Sequence, residues 1–111
     1  MTEERDVWTA VEALQRRLDD AEAVLAIQAL KARYGSLVDQ RFRRGRMLER
    51  DELRAVAEQI AATFTEDGVW DAGPTLGSAT GRAATAERMC EAPRVFSRHF
   101  FVKPELAVDG D

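Results

Sequence analysis

The chain contains a single histidine, His99, set in the run Phe96-Ser97-Arg98-His99-Phe100-Phe101-Val102. An imidazole with an ordinary pKa of about 6.5 suits proton abstraction near neutrality. For it to act as a base, a carboxylate must hold Nδ1–H and leave Nε2 free. Asp39, in "KARYGSLVDQRF" (31–42), is the acid considered for that role, and Tyr34 in the same stretch carries a hydroxyl that can donate to a carbonyl or a departing hydroxyl. Each of these residues also has a plainer reading. His99 beside Phe101 fits a neutral core imidazole with both nitrogens satisfied, and Asp39 fits a helix-end residue paired with Arg41 or Arg43.

Tyr34 and Asp39 are five residues apart, roughly 140° around an ideal helix. Both can serve one site only if the helix loosens near Gly35 or the pocket is wide. Trp70, Phe64 and Phe101 are the aromatic residues that would line an apolar cavity, with ordinary core packing as the alternative. Ser97 shares a strand face with His99 and receives no role. One histidine and one cysteine (Cys90), without paired-cysteine or His-Glu-x-x-His spacing, predict no metal site, and no glycine-rich phosphate loop follows a strand.

The elements that must position these residues follow from periodicity. Residues 5–34 predict a long helix. Val7, Val11, Leu14, Leu18, Ala21 and Leu25 are spaced 4-3-4-3-4 along it, the seam of a coiled coil. Residues 1–20 therefore read as a helical oligomerisation arm, with a helix lying over its own domain as the alternative. Beyond Leu25 the apolar set becomes Val24, Ile27, Leu30, Tyr34 and Leu37, denser and suited to packing on a sheet.

"QRFRRGR" (40–46) is a basic connector, read either as a phosphate-binding patch or as a solvated loop whose cations suit a helix C-terminus. Asp51 is expected to cap a second helix with Leu53, Val56, Ile60 and Phe64 on one face. "GVWDAG" (68–73) predicts a short strand and "PTLGS" a turn. A few extended residues follow, then a helix over 81–91 and a final strand from 96. This order, helices grouped ahead of most of the sheet, predicts an α+β fold.

The bulk properties bound the function. The chain has 111 residues, 45% hydrophobic and 32% charged, and a formal net charge of −4. That is a globular composition of single-domain size. The acidic balance argues against nucleic acid as a partner, and the longest uncharged helical run, "AVLAIQAL", is too short to span a membrane. The lone cysteine and the acidic N-terminus without an apolar signal point to the cytoplasm.

Three stretches, "AIQALKARYGSLVDQ", "IAATFTEDGVWDAGPTLGSATGRAATAERM" and "SRHFFVKPELAVDGD", resemble the SnoaL-like branch of the NTF2-like superfamily in family order. The Tyr-x4-Asp and strand-His pattern resembles its dehydratase members, of the bile acid 7α-dehydratase, scytalone dehydratase and hexachlorocyclohexane dehydrochlorinase type. "FTEDGVWD" and "GRAA" mark the fold rather than the reaction.

The resemblance implies an NTF2-like (cystatin-like) cone, with helices packed on a curved, mostly antiparallel sheet, formed by one domain over 1–111. It implies Asp39, His99 and Tyr34 as catalytic residues, no cofactor, and dehydration or elimination on a hydrophobic cyclic or polycyclic molecule. A homodimer or homotrimer is expected, and most strands of the sheet are expected to follow the "DGD" turn, so that strand 96–102 is completed by further chain or by another chain. The rival expectation is a non-catalytic NTF2-like ligand-binding or assembly subunit.

Overall fold

The computed structural model describes residues 2–91 and 106–109. The element order is α1 (Thr2–Asp39), β1 (Phe42–Arg43), β2 (Arg46–Met47), α2 (Arg50–Ala61), β3 (Val69–Asp71), α3 (Gly73–Leu76), β4 (Ser78–Thr80) and α4 (Arg82–Met89). Two compact units result. One holds α1 as far as Lys31 together with residues 106–109, and the other begins at Ala32 and contains all the later elements. The expected final strand, with Ser97, His99 and Phe101, lies outside the described residues.

In the first unit α1 is a continuous helix, longer at both ends than the 5–34 expected from the sequence. No proline interrupts it, and glutamates at positions 3 and 4 occupy its first turn, where negative charge complements the helix dipole. Its apolar residues Val7, Val11, Leu14, Leu18 and Leu25 are exposed, as are Ile27 and Leu30.

In the second unit α1 continues through Gly35 to Asp39. The glycine, itself buried, does not break the helix. The apolar spacing of its last turns and of α2 and α4 builds the core: Leu37, Val38, Ala57, Ile60 and Met89 are buried together. Tyr34, Val56, Trp70 and Cys90 pack against this cluster from partly buried positions. Ile60 is fully buried, and withdrawing such a side chain from water is worth roughly 1.5–3 kcal/mol. Helix α2 begins one residue before Asp51, after an extended Glu49 that makes no side-chain cap bond. Asp51 instead sits with Glu52 in the first turn, where its charge still favours the helix. Phe64 lies beyond the end of α2 rather than on its face.

The basic connector is a miniature hairpin. β1 pairs antiparallel with β2, Phe42 opposite Met47 and Arg43 opposite Arg46. The two-residue turn between them has φ of 54° at Arg44 and 76° at Gly45. Positive φ at both central residues is the type I′ pattern, whose twist matches that of paired strands.

The second hairpin pairs Val69 with Thr80, Trp70 with Ala79 and Asp71 with Ser78. Trp70 is half-buried and Ala79 buried, while the other four residues are exposed, so one face packs inward. A small residue opposite the indole leaves it room to lie across the core. The "GPTL" segment expected as a turn closes into one helical turn, α3, with Pro74 at its start. The Asp71 side chain accepts from the Gly73 backbone N–H at 2.9 Å, an Asx bond that starts that turn. Gly81, at φ 85°, precedes α4, and its carbonyl accepts from both the backbone N–H and the hydroxyl of Thr85.

Candidate functional site

Three of the aromatic and phenolic residues singled out from the sequence meet within the second unit. The Trp70 Nε1–H donates to the Tyr34 hydroxyl oxygen at 3.1 Å, in a half-buried setting. The Phe64 ring stands edge-on to the Tyr34 ring, with centroids 5.8 Å apart and planes at 76°. Edge-to-face packing of this kind is worth about 0.5–1.5 kcal/mol beyond buried area.

Each partner arrives by a separate local cause. Tyr34 is carried on the last turns of α1, and Trp70 on the inward face of β3. Phe64 follows α2 in a turn where its carbonyl accepts twice from Arg82, from Nε at 3.0 Å and Nη2 at 2.8 Å. The guanidinium of Arg88 lies over Trp70, 5.9 Å from its ring centroid, and donates to the Leu76 carbonyl.

This geometry has a chemical consequence. A phenol oxygen that accepts one hydrogen bond keeps its own proton free to donate, and accepting strengthens that donation. Tyr34 is thus held as a donor, with aromatic carbon around it.

Arg41 is a buried charged residue whose inward position sequence reading missed. It is only 9% exposed. Its Nε donates to the Val38 carbonyl at 2.9 Å and its Nη1 to the Met89 carbonyl at 3.1 Å. It also stacks its guanidinium on Phe42, 5.4 Å from the ring centroid. Burial pushes its pKa below the usual arginine value, while the negative forms of Tyr34, Asp39 and Cys90 pull it back up. Arg41 is therefore neither part of a solvated loop nor an open phosphate patch. Its neighbour Arg43 follows the solvated reading, pairing with Glu52 at 3.1 Å in the open. A lone arginine among four in a basic run gives no signal of which one turns inward.

Asp39 is half-buried at the end of α1 and lies within electrostatic range of Arg41. Because α1 stays helical through Gly35, the loosening that would align Tyr34 with Asp39 is not found. Their angular offset remains about 140°. Of the two conditions set by the sequence, only the wide pocket is left. His99 and Phe101 lie outside the described residues.

A separate groove of about 430 Å³ lies between α2 and α4. Its floor is mostly alanine, with Arg54, Glu58, Arg82 and Glu87 at its margins, and it contains none of Tyr34, Phe64 and Trp70. There Arg54 pairs with Glu87 at 2.9 Å, a contact that raises the arginine pKa.

The SnoaL-like domain family matches residues 19–111. The chain belongs to that family and so to the NTF2-like superfamily, whose helices and antiparallel strands agree with the α+β order described above. No curated protein and no solved structure matches the chain. No helix among the described residues is long and apolar enough to cross a membrane.

Proposed function

We propose that this SnoaL-like domain binds a hydrophobic cyclic or polycyclic molecule bearing a hydroxyl or keto group, and that it promotes elimination or isomerisation on it by acid–base chemistry. The observation that carries this reading is the Trp70–Tyr34 hydrogen bond, in which the phenol oxygen accepts and so keeps its own proton for donation, within an aromatic setting. An apolar lining with a few fixed polar groups is the general character of small-molecule sites.

In the proposed reaction His99 Nε2 takes a proton from carbon. The C–H electron pair becomes the new double bond, and the hydroxyl on the adjacent carbon departs. The proton held by His99 passes to that hydroxide, giving water, while Tyr34 holds the oxygen by a hydrogen bond. Asp39 orients the imidazole and stabilises its charged form. No cofactor enters this scheme.

A second reading, binding without catalysis, is favoured by the unbroken helix between Tyr34 and Asp39, which turns the carboxylate away from the phenol. Titration with a panel of polycyclic alcohols and ketones, followed by tryptophan fluorescence in a Trp8→Phe background, tests the binding. Proton exchange at substrate carbon in D2O, followed by NMR, tests the chemistry. Binding with exchange that His99→Ala abolishes supports the catalytic reading. Binding without exchange selects the second reading, and absence of binding overturns both.

A further inference from the structure

We infer that the N-terminal half of α1 joins a second copy of this chain in a parallel, two-stranded coiled coil along Val7, Val11, Leu14, Leu18, Ala21 and Leu25. The 4-3-4-3-4 spacing assigns Val11, Leu18 and Leu25 to the a positions of a heptad, and Val7, Leu14 and Ala21 to d. The large members of the seam are exposed in the single chain, from 45% at Val11 to 63% at Leu25. Most outward positions are charged: Arg5, Asp6, Glu12, Arg16, Asp19 and Asp20 fall on b, c or f, with Thr9, Ala13 and Ala23 the uncharged residues among them.

The residues of this stretch up to Leu18 precede the SnoaL-like match, which begins at residue 19. Val7, Val11, Leu14 and Leu18 therefore lie outside the matched region, which does not account for their spacing. Their spacing needs another explanation, and a helix that continues without a break from residue 2 through all of them supplies it.

Charge selects both the partner and its direction. Arg17 occupies g and Glu22 the e position of the following heptad. In a parallel, in-register pair, Arg17 of each chain meets Glu22 of the other, so two complementary contacts form by symmetry. In an antiparallel pair that overlaps the whole seam, Arg17 would meet its own copy, a like-charge contact. A second copy laid parallel is thus the occupant whose charges match. The seam is about 28 Å long at 1.5 Å per residue. Fewer than three heptads give a modest interface, and a reversible dimer is expected rather than a permanent one.

Sedimentation equilibrium on the protein across the micromolar range tests the inference. The expected result is a monomer–dimer equilibrium that Leu14→Glu/Leu18→Glu shifts to monomer. Because both leucines are exposed, that variant should retain the wild-type near-ultraviolet spectrum. Arg17→Glu is expected to weaken the dimer about tenfold, and Arg17→Glu/Glu22→Arg to restore it, as complementary surface pairs would. Leu14→Cys in a Cys90→Ala background should form an interchain disulfide on oxidation, since d positions face each other in a parallel pair. A wild-type protein monomeric throughout that range, a trimer, or a dimer indifferent to Leu14→Glu/Leu18→Glu overturns the inference. Failure of the charge reversal to restore association overturns the parallel arrangement.

Discussion

The indole of Trp70 and the phenol of Tyr34, 36 positions apart in the chain, are joined by one hydrogen bond of 3.1 Å. That bond ties the end of α1 to the β3–β4 hairpin. Tyr34→Phe removes the acceptor and leaves a half-buried indole N–H without this partner, an expected loss of about 0.5–1.5 kcal/mol. Trp70→Phe should cost more, because packing area and the contact with Arg88 are lost as well. In a double-mutant cycle by urea unfolding, the two effects should be non-additive by roughly 0.5 kcal/mol or more. Strict additivity would mean that the bond contributes nothing.

Arg41→Met should destabilise the second unit even though it replaces a charge by a side chain of similar length. The Met89 carbonyl loses its Arg41 donor and the Val38 carbonyl keeps only the longer bond from the Arg41 backbone N–H, at 3.4 Å, and a buried group left unsatisfied costs about 1–3 kcal/mol. Arg41→Lys should recover only part of that, since an ammonium lacks the planar fork that reaches both oxygens.

The pH dependence of this effect has a definite sign. The folded-state pKa of Arg41 is lowered, so burying the charge is unfavourable at every pH at which both folded and unfolded forms are protonated. Relief comes only at strongly alkaline pH, as the folded form loses its proton. The difference between wild type and Arg41→Met should therefore be flat from about pH 5 to 9, where arginine does not titrate. A slope across that range, measured by chemical denaturation, would assign the effect to another group.

The type I′ turn at Arg44–Gly45 offers a stabilising change. Arg44 holds φ of 54°, a conformation that asparagine accepts more readily than arginine. Arg44→Asn is expected to raise the melting temperature by a few degrees, corresponding to about 0.5 kcal/mol. Gly45→Ala should lower it. The position is open, with nothing within 4 Å of an added Cβ, so the loss would report backbone strain at φ 76° alone.

If the elimination chemistry operates, kcat/KM should rise with pH as the imidazole of His99 becomes neutral, with a midpoint above the ordinary value of about 6.5 because Asp39 favours the charged form. Asp39→Asn should lower the rate by roughly 100-fold or more while leaving substrate affinity little changed. An Asp39→Asn rate equal to wild type would remove the carboxylate from the mechanism.

Much of the second unit was legible because its signals are local. Leu53 and Ile60 are seven apart, two helical turns, and both are buried. Glycines and Pro74 punctuate the β3–β4 hairpin at the positions where the chain turns. Non-local facts were not legible. Nothing in "QRFRRGR" distinguishes the buried Arg41 from the exposed Arg43, because the difference is made by the Met89 carbonyl 48 positions away. Gly35 was a plausible loosening point on propensity alone, yet the buried Leu37 and Val38 that follow it hold the helix in place. The Asp51 cap failed because the carbonyl of Glu49, one residue before the helix, already accepts from the Leu53 N–H at 2.8 Å. The contact of Tyr34 with Trp70 follows from neither periodicity nor spacing, since it joins two elements whose separation is set by the core between them.

Arg41 donates to Val38 in the closing turn of α1 and to Met89 at the close of α4. Both helices therefore present the negative poles of their peptide dipoles to one shared counter-charge. Fraying of either terminus frees the cation that steadies the other, so amide exchange in the two closing turns should quicken or slow in concert.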